Sequence, residues 1–417
     1  MVLRIFSCLM LLLLSGLAWA HPMPSSEVKL RLNERNVGME LRLPIIELKL
    51  GWQKPLPDSA EVTVAQYGDE LKGYVAQHLK ATAPDGRAWT VRIDKVAPLE
   101  GTYPEVKLDL TLTPPTGAPI DRLTLNDDVI LHQLVTHTAV VSLERDWRNG
   151  QLEGKPVLLG TLTDRDHTLT IDRSNGTLWK GFRATLLLGM RHIAEGTDHL
   201  LFLLALLLPV SLVARSGRWA ELDSPRNSVR KVVKIVTAFT VGHSLTLALG
   251  ALGVVHLPAR PIEIGIALSI LVSAIHAACP LLLRREALLA GVFGLVHGLA
   301  FAETLTELGL GPKTLTLSLL GFNLGIELIQ LLIVALTVPW LLLLGRTRYY
   351  TPFRLGGAVI TGFAAVAWLL ERVLGKSNAG VALVEALARH AGWLLLALVV
   401  GSLLATWRTH RAALTPS

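Results

Sequence analysis

Two stretches of this sequence combine histidine and carboxylate at the same spacing inside apolar surroundings. The first reads Gly189-Met190-Arg191-His192-Ile193-Ala194-Glu195-Gly196-Thr197-Asp198-His199. The second reads Gly294-Leu295-Val296-His297-Gly298-Leu299-Ala300-Phe301-Ala302-Glu303. Each is Gly-x-x-His with an acid six positions after the His. Imidazole together with carboxylate is a ligand set for divalent transition metals such as nickel, cobalt and zinc. Ionisable groups at membrane depth are costly, and where they occur they mark ion or substrate paths. His192 and His199 lie two helical turns apart and share a face. In a regular helix Asp198 points about 100° away from His199. A break at Gly196 would bring all three together, as half-helix ends and unwound backbone do in transporters.

The elements that must position these groups follow from composition. Of the 417 residues 51% are apolar, and the mean hydropathy of +0.46 is that of an integral membrane protein. Residues 1–20 read as a signal peptide, with Arg4, the Leu11–Leu14 core and an Ala18-Trp19-Ala20 cleavage site. Cleavage would leave His21 as the amino terminus, where its amine and imidazole form a candidate copper or nickel pair. Cys8 would leave with the signal and Cys279 lies in an apolar run, so no disulfide is expected. The net charge of +7 comes from arginines in short loops between apolar runs. That is the positive-inside pattern, and it excludes nucleic acid as the expected partner.

Residues 21–178 alternate apolar and polar side chains at Val28–Leu32, Val37–Leu43 and Val106–Leu112, with turns such as Pro84-Asp85-Gly86 between runs. This predicts an all-β, sandwich-like extracytoplasmic domain, in which His132 and His137 fall on opposite faces of a strand and serve structure. Residues 179–345 form a membrane domain with a polar core, and 346–417 two further transmembrane helices with a short cytoplasmic tail. Seven spans are expected: 184–214, 231–254, 260–281, 286–308, 315–345, 354–374 and 386–407. Basic residues at 215–234, 284–285, 346–354 and 408–411 place alternate loops in the cytoplasm. The amino-terminal domain is then outside, the carboxyl terminus inside, and the expected location is the inner (plasma) membrane.

Among the polar residues inside the spans, His243, His297, Asn323 and Glu327 sit deepest, with His192, Asp198, His199 and Glu303 nearer the outer half. Asn323 and Glu327 lie one turn apart and form a candidate secondary path. His276 is balanced between an interhelical partner and a site residue, Glu263 reads as solvated, and the last two spans read as scaffold. Because spans 1 and 4 run oppositely, the repeated motif suggests an inverted repeat of spans 1–3 and 4–6 around one site.

The His192-x5-Asp198-His199 motif resembles the signature of the HupE/UreJ family of nickel permeases, which serve hydrogenase and urease maturation. The family's second signature, Phe-His-Gly-x-Ala-x-Gly-x-Glu, is similar to Val296-His297-Gly298-Leu299-Ala300-Phe301-Ala302-Glu303. Here Val296 replaces the Phe, the second Gly is absent, and Glu303 arrives one position early. The resemblance covers roughly residues 180–345 and implies a nickel or cobalt permease, with metallochaperones or metalloenzyme-maturation factors as partners. The residues by themselves leave a second class open: a membrane-embedded zinc hydrolase, with His199, His243 and His297 on the metal and Asp198 as base. A third class is a metal sensor or assembly factor anchored by its helices. No Gly-x4-Gly-Lys-Ser/Thr sequence is present to support ATP-driven transport.

Overall fold

The computed structural model describes residues 24–152, 154–215, 217–281, 285–301, 305–306 and 308–414. The signal segment, His21 and Glu303 lie outside these residues. The chain forms two compact units: residues up to Asp146 with Glu153–Asn175, and Trp147–Leu152 with Gly176–Ser417.

In the first unit the alternating runs fold as expected. Along β1 (Ser26–Leu32) and β2 (Val37–Pro44) every second side chain is buried. These strands join β4 (Thr90–Leu99), β5 (Glu105–Thr113), β7 (Ala139–Asp146) and β8 (Val157–Leu162) in a six-stranded sheet of order β4-β5-β2-β1-β7-β8. Only the β1–β7 pairing is parallel in that sheet. A second sheet, β3-β6-β9, combines Leu79–Thr82, Arg122–Asp127 and Thr168–Asp172.

The all-β expectation needs correcting, because two helices, α1 (Ile45–Trp52) and α2 (Ala60–His78), complete the unit. Ser59 caps α2 by accepting from the Val62 N–H, and Ala60, Thr63, Leu71 and Val75 point inward. Leu71 and Val75 share one core with the inner faces of both sheets. The helix is hard to read from sequence because Val62, Thr63, Val64, Gly68 and Gly73 all have poor helix propensity. Burial against the sheets overrides that preference.

His132 and His137 also differ from expectation, since both lie in the turns between β6 and β7 rather than on a strand. His137 is buried between Glu47 and Ser26, with its Nδ1 2.8 Å from Glu47 Oε2 and its Nε2 2.8 Å from Ser26 Oγ. The network ties α1, β1 and this turn together, a structural role.

Asp127 is buried at the end of β6, where its Oδ1 accepts from the Val129 N–H at 3.1 Å. Desolvation pushes its carboxyl up to about 6. The folded state therefore holds this proton more tightly than the unfolded chain does. The stability contributed by the group is greatest at low pH and falls as pH rises from about 4 to about 6. Asp127→Asn keeps the acceptor and removes the buried charge. It should raise the stability of this unit at pH 7.5 by ~2 kcal/mol and flatten that acid dependence, as read by thermal unfolding from pH 4 to 8.

The second unit is helical: α3 (Leu178–Glu195), α4 (Thr197–Leu207), α5 (Pro225–Ala251), α6 (Ala259–Ala278), α7 (Glu286–Ala300), α8 (Pro312–Gly345), α9 (Tyr350–Leu374), α10 (Ala379–Ala388) and α11 (Ala391–Leu414). A hairpin of β10 (Leu212–Arg215) and β11 (Arg218–Leu222) interrupts the series. Among the described residues five helices are long and apolar enough to cross a membrane: α5, α6, α8, α9 and the Gly392–Arg411 part of α11. Three stretches expected as single spans are built differently. Residues 184–214 are divided among α3, α4 and β10, residues 286–308 hold only the short α7, and 386–407 begins in α10 and continues in α11.

Glycines set how closely these helices approach. A Cβ on Gly189 of α3 would meet the Phe322 carbonyl oxygen of α8 at 2.1 Å, and one on Gly325 of α8 would meet Leu186 O at 2.1 Å. In the other pair, a Cβ on Gly294 of α7 would lie 2.1 Å from Phe239 O of α5, and one on Gly298 would lie 2.2 Å from His243 O. The Gly of each Gly-x-x-His motif is thus the crossing point of a helix pair, and the His lies one turn beyond it. Exchanging the two halves maps α3–α8 onto α7–α5, the pairing that an inverted repeat requires.

Candidate metal centre

The break at Gly196 builds the site. Helix α3 ends at Glu195, Gly196 stands between the helices, and α4 restarts at Thr197 with Asp198 in its first turn. An acid there is favoured by the positive end of the helix dipole. A Cβ on Gly196 would lie 2.6 Å from His192 O and 2.8 Å from His199 Nδ1, so only glycine fits this turn. With the helix broken, the imidazoles of His192 and His199 stand with ring centres 4.6 Å apart. His243 of α5 lies 6.0 Å from His192 and 6.2 Å from His199, and His297 of α7 lies 5.1 Å from His199.

Ligand atoms converge in two groups that share one residue. His192, His199 and His243 form one, and Asp198, His199 and His297 the other, with the atoms of each group within 4.8 Å of one another. His199, His243 and His297 are all buried. Phe202, Phe239, Phe301 and Phe322 wall the imidazoles. The three-imidazole set of the hydrolase reading, His199 with His243 and His297, is not one of the two groups among the described residues.

Hydrogen bonds fix which nitrogens are available. His199 Nδ1 lies 3.1 Å from Asp198 Oδ1, so its N–H donates to the carboxylate and Nε2 keeps its lone pair. Ser269 of α6 donates its hydroxyl proton to Ile266 O at 2.7 Å and lies 2.9 Å from His297 Nε2. His297 Nε2–H therefore donates to Ser269 Oγ, and Nδ1 is the free nitrogen. A carboxylate or hydroxyl behind an imidazole is the arrangement that orients metal-ligating histidines. His192 Nε2, His199 Nε2, both nitrogens of His243 and His297 Nδ1 are buried with no hydrogen-bond partner among the described residues. Each such group costs about 1–3 kcal/mol when buried unsatisfied, a cost that interhelical packing alone does not require. A cation in the His192–His199–His243 group would take a free lone pair from each of those imidazoles, and one in the Asp198–His199–His297 group would take that of His297 Nδ1.

The secondary pair lies on α8. Thr237 donates to Glu327 Oε1 at 3.0 Å, leaving Glu327 Oε2 buried and unpartnered. Asn323 donates to Leu319 O at 2.9 Å, and its Oδ1 is likewise unpartnered. Neither belongs to the two ligand groups. Beside Asp198 a cavity of about 290 Å³ is lined by Thr197, Glu263, Arg372 and Glu385 among others. Glu263 pairs with Arg372 at 2.9 Å. The sequence did not single out Glu385 or Ser269, and it read Glu263 as merely solvated. Their placement depends on which helices neighbour α4 and α7, which no local spacing encodes. His276 stays apart: its carbonyl accepts from Trp219 Nε1 and its Nδ1 from the Leu281 N–H, a structural arrangement.

Residues 166–372 match the family model described as HupE / UreJ protein. This helical part of the chain belongs to the HupE/UreJ family. The HupE/UreJ match runs from β9 to the end of α9, so it contains every residue of both ligand groups as well as Asn323, Glu327 and Arg372. Glu385 lies beyond it. No curated protein and no solved structure matches the chain.

Proposed function

We propose that this chain is a permease that carries a divalent transition-metal ion, nickel or cobalt ahead of zinc, through a site inside its helical unit. The observation that carries the reading is the set of buried, unpartnered imidazole nitrogens converging on His199. Borderline divalent ions prefer this imidazole–carboxylate chemistry, and membership of the HupE/UreJ family supports the same class.

In this reading the ion enters through the cavity beside Asp198, where Glu263 and Glu385 attract cations. It then exchanges between the Asp198–His199–His297 and His192–His199–His243 groups, with His199 common to both. Glu327 and Asn323 continue the path or relay protons, and Glu303 is the further acid of the second motif. The orientation follows the basic loops: amino-terminal unit outside, carboxyl terminus in the cytoplasm, in the inner membrane. Metallochaperones or maturation factors for metalloenzymes would receive the cargo. Uptake falls in acid, because neutral imidazole and ionised carboxylate are the forms that bind metal.

The test is accumulation of radiolabelled Ni²⁺, Co²⁺ and Zn²⁺ in cells producing the intact chain, with empty-vector cells and Asp198→Asn beside it. The intact chain should raise uptake of at least one ion. Asp198→Asn, which weakens both the ligand and the orientation of His199, should cut that uptake by about 10–100-fold. Equal uptake in all three cell lines would refute the reading.

A further inference from the structure

Two arginines, one just past the end of α8 and one near the end of α11, meet at a neutral oxygen. Arg348 Nη2 donates to the Tyr349 hydroxyl at 3.1 Å, and the Arg408 guanidinium hydrogen-bonds the same hydroxyl. Together they draw that phenol below its ordinary pKa, Arg348 more than Arg408. Neither arginine pairs with a carboxylate among the described residues. Like charges gathered at one point repel, and a phenol supplies no countercharge.

Tyr349 and Arg408 line a cavity of about 310 Å³ between the end of α8, the start of α9 and α11. The rest of its lining is apolar except for Ser402, whose hydroxyl is taken up by Leu398 O at 2.6 Å. Ala397, Gly401 and Ala405 recur every fourth residue, so they share the face of α11 that lines it. Small residues at this spacing usually let a second helix approach closely. This face is open instead. A Cβ on Gly401 would meet nothing within 4 Å, whereas one on Gly189, Gly294 or Gly325 would meet a neighbouring backbone oxygen at 2.1 Å. Helix α11 is also the least buried of the five long apolar helices, at 11% against 33% or more.

We propose that this groove binds an anionic phospholipid, with its phosphate on Arg348, Arg408 and the Tyr349 hydroxyl and an acyl chain along the Ala397–Gly401–Ala405 face. Guanidinium groups are the preferred donors to phosphate oxygens, and basic pockets between membrane helices hold anionic headgroups. The paired cations favour this occupant over a second copy of the chain. Helix α11 carries Arg408, His410 and Arg411 and no acid, so packing two copies through it would add positive charge at the same place. The site does not rest on the permease reading; it requires only that α11 crosses a membrane.

The experiment is native mass spectrometry of the purified full chain in detergent, with dioleoyl-phosphatidylglycerol, dioleoyl-phosphatidylcholine or glycerol 3-phosphate added singly. The wild type should hold one phosphatidylglycerol in preference to phosphatidylcholine. Arg348→Gln/Arg408→Gln should weaken phosphatidylglycerol binding about 10-fold and abolish the preference. Gly401→Leu, which fills the groove and keeps both arginines, should displace the lipid. Arg346→Gln, at an exposed arginine of the same connection outside the cavity lining, should bind as the wild type does. Thermal unfolding without added lipid checks that each variant is folded. Equal retention of the two lipids by the wild type, or as large a loss in Arg346→Gln as in the double variant, would overturn the proposal. So would glycerol 3-phosphate binding as tightly as the lipid, or a dimer that Gly401→Leu dissociates.

Discussion

His199→Ala is expected to lower metal uptake and metal binding at the buried site by more than 100-fold. His199 is the one residue common to both groups of ligand atoms, so its loss leaves neither with three ligands. Removing a group that only orients a ligand costs about 10–100-fold in metal affinity, and removing a ligand costs more. The effect is also structural in a predictable direction. Asp198 loses the imidazole it pairs with at 3.1 Å, while His243 and His297 keep their helices and their packing. The variant should therefore fold with near-normal thermal stability and fail only in binding. His390→Ala, at an exposed histidine in the turn between α10 and α11 whose ring bonds the Ala386 carbonyl, serves as the control and should transport normally. Full uptake by His199→Ala would remove the basis for a site at the Gly196 break.

Gly294→Ala carries the second large effect, on assembly rather than chemistry. An alanine in a helix interior gains up to about 1 kcal/mol over glycine in propensity. At this position its Cβ would lie 2.1 Å from Phe239 O and 2.9 Å from the His243 amide nitrogen. Both are backbone atoms that a rotamer change cannot move, so α5 and α7 must separate. Overpacking of this kind typically costs 1–3 kcal/mol and occasionally more, which outweighs the propensity gain. A net loss of ~2 kcal/mol or more is expected, read as a lowered Tm in detergent. His243 and His297 ride on the two helices that part, so metal binding should fall with it. Gly291→Ala on the same helix places its Cβ 3.4 Å from Ala238 O and should be tolerated. Equal Tm values for the two variants would show that the close crossing does not hold the site together.

Much of the first unit was legible in its alternation, because a strand with one buried face has a period of two that no other element shares. Val28–Leu32, Val37–Leu43 and Val106–Leu112 are strands with the expected buried sides. Helix α2 was missed for the converse reason: its inward residues are few and its propensity poor, and the core contributed by two sheets decides its conformation. In the helical unit, apolar content predicted membrane helices where α5, α6, α8 and α9 stand. It overran the first span, where α3 is amphipathic and Gly196 divides it from α4, and the fourth, where α7 is only fifteen residues long.

The sequence by itself determined the residue types of the candidate site and the glycine at which the helix breaks, because these depend on local spacing along the chain. It also carried the family signature that the match over residues 166–372 bears out. Only the tertiary structure decided that His199 is the hub, and that Ser269 and Asp198 fix the tautomers of His297 and His199. It alone brings Glu263 and Glu385 from distant helices to line the cavity beside Asp198. Such relations depend on which helices cross and how closely. The crossings are set by backbone-to-backbone contact at glycines, and neither partner of such a contact can be read from the other's local sequence.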